Sequence, residues 1–299
     1  MSKEYLWDIT KKEQTQIKLN ILEQYLRQWA TIIGNNFTQG YYIDCFAGRG
    51  RYHKDGIKDC VPGSPLLAQK IASEVQAQKS KKGKNFRLKI IAIEADKRNI
   101  RSLNKFLKEG DPEGEVDIKT EHGEFQRILP TIIRDIGSNP AFFFIDPYGI
   151  KIPKDTLDLV IDRAETQGKT EIFLNYMSMG VKRVAGLTKT VEHHKESIRL
   201  RALKGLDRLD MLFGDRSWID KEGRELLTHF AGQVLRRGFK LILNFDVPYP
   251  DRSGTFYNLI FATNNLVAKK IMSHILTRKL FEGTLFERMP FQVDHELQE

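Results

Sequence analysis

Cysteine is scarce in this chain: Cys45 and Cys60 are the only two among 299 residues. There is no CxxC pair and no Cys/His ligand set, which excludes a structural zinc module and a disulfide framework. Both read as reduced thiols of a cytoplasmic protein. Long apolar runs are missing as well. None approaches the roughly 20 residues of a membrane helix. The start, Met1 to Thr10, mixes Lys, Glu, Trp and Asp around no apolar core, unlike a signal peptide. There is no internal repeat and no low-complexity segment. No acids cluster beyond a few strand ends, so a metal-dependent nuclease is the least supported class. Apolar residues, by contrast, make up 40% of the chain, with 18 phenylalanines, enough for a sizeable core. The length fits one large α/β domain with insertions, or two small ones. Lys and Arg exceed Asp and Glu by nine. That balance suits a polyanionic partner such as DNA or RNA, and it equally suits a lysine-rich surface with no partner.

The most informative stretch is Tyr41-Tyr42-Ile43-Asp44-Cys45-Phe46-Ala47-Gly48-Arg49-Gly50. A short apolar run ends in an aspartate, and a turn with two glycines follows. Gly48 and Gly50 lack a Cβ, which permits unusual φ values and a ligand close to the backbone. Phe46 offers an apolar edge. A second junction of this kind comes about a hundred residues later, Phe142-Phe143-Phe144-Ile145-Asp146-Pro147-Tyr148-Gly149.

Periodicity places helices and strands around these junctions. A leading helix carries Ile21, Leu22, Tyr25, Leu26, Trp29, Ile32 and Ile33, and Gly34-Asn35-Asn36 stops it. Strands are expected at Tyr41–Cys45, Leu88–Ile93 ending at Glu94, Val116–Thr120, Ala141–Ile145 and Glu171–Asn175. Residues 48–63 read as a polar loop. Gly63-Ser64-Pro65 reads as a helix start, with Ser64 at the cap and Pro65 first in the helix. Residues 177–221 break the alternation and read as a basic, helical insertion. Two further strands, Phe239–Phe245 and Phe256–Phe261, lie too close in sequence for a parallel crossover, so this pair is expected to be antiparallel. The expected fold is α/β, a doubly wound, mostly parallel seven-stranded sheet with a late antiparallel strand. A dehydrogenase would carry a third glycine opening the first helix, which is absent here.

That architecture is the Rossmann-like fold of class I S-adenosylmethionine-dependent methyltransferases. As a set, the motifs resemble the three-Cys-motif partner (TcmP) family of bacterial and phage proteins. The matching pieces are the leading helix with Lys18 and Tyr25, the Asp-x-Phe-Ala-Gly-x-Gly turn from Asp44 to Gly50, Gly63-Ser64-Pro65, Asp146-Pro147-Tyr148-Gly149, and the late strand Tyr257–Thr263. They span nearly the whole chain. The resemblance implies one methyltransferase-like domain over 1–299, with an N-terminal helical segment at 1–36, and S-adenosylmethionine as cofactor. It also implies a partner protein bearing three cysteines, of radical-S-adenosylmethionine type. It assigns no substrate.

Ligands of open α/β sheets bind at the carboxyl ends of the strands. Asp44 there accepts hydrogen bonds from the cofactor's amino group, directly or through water, or else caps its own turn. Gly48 and Gly50 present backbone N–H groups. Glu94, with Asp96 as its competitor, suits the ribose hydroxyls. Glu124, with Phe125, meets the adenine or serves only as a helix N-terminal acid. Lys18 pairs with the cofactor carboxylate or is simply solvated. Ser64 caps its helix and can also hold a carboxylate. The catalytic candidates are Asp146, Pro147 and Tyr148, a variant of the Asp/Asn-Pro-Pro-aromatic loop of base amino-methyltransferases. They supply an acceptor, a carbonyl and a stacking ring, although the second proline is absent. The alternative is a turn that merely shapes the pocket. Asn175-Tyr176 is expected on the substrate side.

Lys81, Lys82 and Lys84, with Lys79 and Arg87, together with Lys182 and Arg183 and the insertion's Arg199, Arg201, Lys204 and Arg208, offer a phosphate-tracking surface. Exposed helix faces are the bland alternative. His193-His194 point ~100° apart on a helix and make a poor metal pair. The leading expectation is a methyltransferase acting on DNA or RNA. The others are a methyltransferase for a protein or small molecule, and a cofactor-binding, non-catalytic partner of the three-cysteine protein.

Overall fold

The computed structural model describes residues 13–54, 57–150, 152–189, 196–249 and 253–281. In chain order the elements are α1 (Glu13–Asn36), β1 (Gln39–Asp44), β2 (Arg51–Lys54), β3 (Ile57–Pro62), α2 (Ser64–Ser80), β4 (Arg87–Glu94), α3 (Lys97–Gly110), β5 (Ile118–His122), α4 (Phe125–Ile136), β6 (Ala141–Ile145), α5 (Lys154–Gln167), β7 (Thr170–Tyr176), α6 (Ser178–Lys189), α7 (Glu196–Phe213), α8 (Glu225–Gln233), β8 (Leu241–Pro248), β9 (Thr255–Thr263) and α9 (Leu266–Phe281). Seven strands form one sheet in the order β5-β4-β1-β6-β7-β9-β8. β1 runs parallel to β4 and β6, and β4 to β5. β9 runs antiparallel to both β7 and β8. The doubly wound, mostly parallel sheet with a late antiparallel strand is thus the observed fold. Among the described residues, no helix is long and apolar enough to cross a membrane.

The chain divides into two compact units. Among the described residues the first comprises α1 to β6, with α9 from Lys270 onward, and the second runs from Asp146 to Lys269. In the first, β6 is an unbroken apolar run, Ala-Phe-Phe-Phe-Ile, buried at every position, as a strand covered on both faces requires. Tyr25 and Trp29 of α1 pack on Phe142 with ring centroids 5.2 and 5.9 Å apart. α3 turns Ile100, Leu103 and Leu107 inward against Ala47, Leu66 and Ala92. In the second unit, all seven residues of β7 are buried. Gly168, with φ +63°, ends α5 in the left-handed conformation a glycine adopts without strain. The insertion expected at 177–221 contains α6 and α7. At its end Phe213 stacks on Trp218 and meets Phe230 edge-on.

Several expectations need correction. Residues 48–63 are not simply a loop: β2 and β3 pair there as an antiparallel hairpin, Arg51 opposite Pro62 and Tyr52 opposite Val61. The third strand starts two residues later than expected, because the Asp111 carboxylate takes the N–H groups of Glu115 and Val116 at 3.0 and 2.8 Å. β8 likewise begins at Leu241. The Phe239 N–H returns to the Leu235 carbonyl and the Lys240 N–H goes to Asn264 Oδ1, so neither joins the ladder. α4 continues through Pro130, which is exposed. His193 and His194 lie outside the described residues. Arg199 and Arg201 fall where only the helix backbone is described.

Candidate functional site

The first unit assembles its candidates at the carboxyl ends of β1 and β4. Asp44 is fully buried. Its Oδ1 accepts the Phe46 N–H and its Oδ2 the Tyr42 hydroxyl, both at 3.3 Å. Tyr42 is hydrogen-bonded in turn to the Ser64 side chain. Burial, with the Asp44 charge second, holds the Tyr42 phenol well above its usual range. The Ser64–Tyr42–Asp44 chain ties the start of α2 to the end of β1. This corrects the reading of Ser64 as a cap: the N-cap is Gly63, Ser64 is the first helical residue, and no side-chain cap bond forms. The turn-capping role of Asp44 is real.

That turn is pinned on both sides. The Cys45 N–H reaches the Phe144 carbonyl at 2.9 Å, and the Ala47 N–H the Ile93 carbonyl at 2.8 Å. Gly48 and Gly50 have φ of +66° and +91°, the left-handed region. A Cβ on Gly50 would also meet Leu103 Cδ1 at 3.1 Å, and the Gly63 N–H bonds the Gly50 carbonyl at 2.7 Å. Gly50 therefore serves turn shape and internal packing. Phe46 is half-buried, its ring 5.5 Å from that of Phe125. Cys45 is buried, and burial, then the Asp44 charge, pushes its thiol well up, so it is no nucleophile.

The structure separates Glu94 from Asp96. Asp96 is the N-cap of α3, its carboxylate accepting the Arg98 N–H at 2.8 Å and pairing with the Arg98 guanidinium at 2.7 Å. Glu94 stands half-buried at the strand end, positioned by the Asp96 N–H on its Oε1 at 2.7 Å. Glu124 is exposed. It is the N-cap residue of α4, pairs with Arg127 at 3.4 Å and accepts from Gln126, the behaviour of a helix N-terminal acid. Lys18 is 6% exposed, which removes the solvated alternative. α1 reaches β1 through two residues, so it runs back along the sheet. Over ~27 Å of helix that places Lys18 near the strands' carboxyl side.

Lys79 is not part of a phosphate-tracking surface. It is 4% exposed, and its ammonium donates to the Thr31 carbonyl and Asn35 Oδ1, both at 2.6 Å. Lys84 donates to the Asn35 carbonyl at 3.0 Å. Both lysines cap the C-terminus of α1, where cations suit the helix dipole. Burial, then Lys84 and Lys82, lowers the Lys79 ammonium from its usual range. Lys81 and Lys82 are exposed beside them. This cluster precedes β4, at the amino end of the strands. Glu94 lies at the opposite end, roughly 23 Å along β4.

In the second unit, Asp146 follows β6 directly and is half-buried, Pro147 is buried and Tyr148 is 71% exposed. Asn175 donates to Asp146 Oδ1 at 2.8 Å. Asn175 Oδ1 and the Tyr176 hydroxyl are buried without a hydrogen-bond partner; each such group costs about 1–3 kcal/mol. Burial holds the Tyr176 phenol far above its usual range. Lys182 and Arg183 are exposed on α6, which starts just past the carboxyl end of β7. The sequence reading missed a polar cluster that joins β8, β9 and the start of α6. The Ser178 hydroxyl bonds Asn258, Asn258 donates to Asn244 at 2.8 Å and to Asp246, and Asn244 donates to Asp246 at 2.7 Å. Its sequence signal is one asparagine inside each of two neighbouring apolar strands: Asn244 and Asn258.

No family model matches the chain, and no curated protein does. Among solved structures, protein LPL1258 of Legionella pneumophila, of the family model DUF519, superposes with a TM-score of 0.50 at 10% identity, over 87% of this chain and 90% of that one. The O-methyltransferase TomG of Streptomyces achromogenes, solved with SAM, matches with a TM-score of 0.39 at 12% identity, over 89% and 100%. An O-methyltransferase of Bacillus cereus, solved with SAH, matches with 0.35 at 11%, over 81% and 80%. The first of these likenesses establishes a shared fold.

Proposed function

We propose that this protein is an S-adenosylmethionine-dependent methyltransferase acting on nucleic acid. The observation that carries the reading is the carboxyl edge of β1 and β4. There a buried Asp44 holds a turn with two left-handed glycines, beside a half-buried strand-end Glu94. The residues fit the cofactor: Glu94 offers an acceptor for ribose hydroxyls, Phe46 an apolar edge, and Lys18 a cation for a carboxylate. When bound, S-adenosylmethionine supplies an electrophilic methyl group. The chain contributes positioning and exclusion of water, the main sources of rate in such a transfer. Asp146 and the Pro147 carbonyl accept hydrogen bonds from a target amine, and the exposed Tyr148 ring offers a stacking face for an unpaired base. The net charge of +9 and the exposed Lys182 and Arg183 support a polyanionic substrate.

A second reading, a cofactor-binding partner of a three-cysteine protein, draws on Leu203 and Met211 of α7 and on Ile219, apolar side chains left exposed. Calorimetric titration of S-adenosylmethionine, followed by radiolabelled methyl transfer to DNA, RNA and protein, separates the two. Saturable binding with label entering nucleic acid is expected. Binding without label in any polymer favours the partner reading, and absence of binding refutes the cofactor assignment.

A further inference from the structure

Every residue of β7 is buried, and its middle, Ile172-Phe173-Leu174, is apolar. Asn175, 5% exposed, interrupts that run. A carboxylate only accepts, so the Asn175 amide must turn its NH2 toward Asp146, as the 2.8 Å bond shows. Its own oxygen is then committed to a buried place with no donor. An apolar residue of similar volume would fill the position without that orphaned acceptor. The strand itself therefore gains nothing from an amide here, whereas Asp146 does. The neighbouring backbone is already set by the buried Pro147 and by Gly149 at φ +83°. The Asn175 amide, bonded to one oxygen of the Asp146 carboxylate, restrains the rotation of its plane.

We propose that Asn175 is a positioning residue: it holds the Asp146 carboxylate in one orientation so that it meets a hydrogen-bond-donating nitrogen of the substrate, and the chain tolerates a buried, unpartnered amide oxygen for that purpose. This rests on the reading of Asp146 as the acceptor for a target amine. An oriented acceptor gains most from an amine, whose second hydrogen remains for the Pro147 carbonyl. A hydroxyl has only one hydrogen to give.

The test uses two cofactor analogues and needs no identified substrate. Sinefungin carries an amine-bearing carbon where S-adenosylmethionine carries its methyl sulfonium, and S-adenosylhomocysteine carries nothing there. Calorimetric affinities for both, with melting temperatures, are compared among wild type, Asp146→Ala and Asn175→Leu, with Asn175→Val as a second, strand-favouring replacement. Asp146→Ala is expected to cut the preference for sinefungin about tenfold. The Asn175 variants are expected to cut it about threefold or more, with the affinity for S-adenosylhomocysteine and the melting temperature unchanged or raised. If wild type binds neither analogue, the cofactor reading itself fails. If Asp146→Ala leaves the preference intact, the role of Asp146 falls and this inference with it. If only the Asn175 variants leave it intact, or if they melt several degrees lower and weaken both analogues equally, Asn175 is structural and this inference alone is overturned.

Discussion

Replacing Asp44 tests whether the turn after β1 is held as the geometry indicates. Asp44→Ala removes the acceptor of two buried donors, the Tyr42 hydroxyl and the Phe46 N–H. Each orphaned donor costs about 1–3 kcal/mol, partly offset because a charge no longer has to be buried. A net loss of about 2–4 kcal/mol is expected, a fall of roughly 3–6 °C in Tm for a chain of this size. Tyr42→Phe removes the bonds of its hydroxyl to Asp44 and Ser64 and leaves the turn anchored by Phe46. It should cost about 1–3 kcal/mol and change S-adenosylmethionine affinity less than about threefold. In the double variant the two losses should not add: the Tyr42→Phe cost should shrink by about 1 kcal/mol once Asp44 is gone. Urea denaturation gives the stabilities and calorimetry the affinities. The reasoning is refuted if Asp44→Ala is within about 0.5 kcal/mol of wild type. It is equally refuted if that variant binds the cofactor normally despite a weakened turn.

Gly50→Ala places a side chain at φ +91° and 3.1 Å from Leu103 Cδ1, so a loss of at least about 1–2 kcal/mol is expected on urea denaturation; a neutral result would show that the turn relaxes freely. The Cys45 thiol is raised by burial and by Asp44. The folded state keeps a proton that the unfolded thiol releases above about pH 8.5, so stability is full below that pH and falls as pH rises, by about 1.36 kcal/mol per unit. In a Cys60→Ala background, Cys45→Ala should flatten the stability profile between about pH 8.5 and 9.5, and an unchanged slope would contradict the burial argument. Reversing Lys182 and Arg183 to Glu should weaken nucleic-acid binding and lower its salt slope by about two. The same reversal at Lys81 and Lys82, at the amino end of the strands, should leave binding nearly unchanged; equal losses from both pairs would argue for non-specific adsorption.

The sequence by itself determined the class of fold. Seven strand patterns, the apolar run of β6 and the short separation of β8 from β9 were enough for a mostly parallel sheet with one late reversal. These signals are local: period, length and turn residues. It also located the acidic strand ends and the need for glycine at positions 48 and 50. Tertiary structure alone decided what those residues touch. Asp44 turned out to be enclosed and bonded to Tyr42, two residues before it, because alternate side chains of a strand share a face. Lys79 looked like part of a basic loop until the fold brought the end of α1 beside it, 44 residues away in sequence. Asp96 separated from Glu94 only once the α3 cap had formed. The amide of Asn175 found Asp146 across 29 residues of sequence. Periodicity registers which face of an element is buried, whereas a hydrogen bond between distant residues depends on strand register and helix placement, which only the folded chain sets.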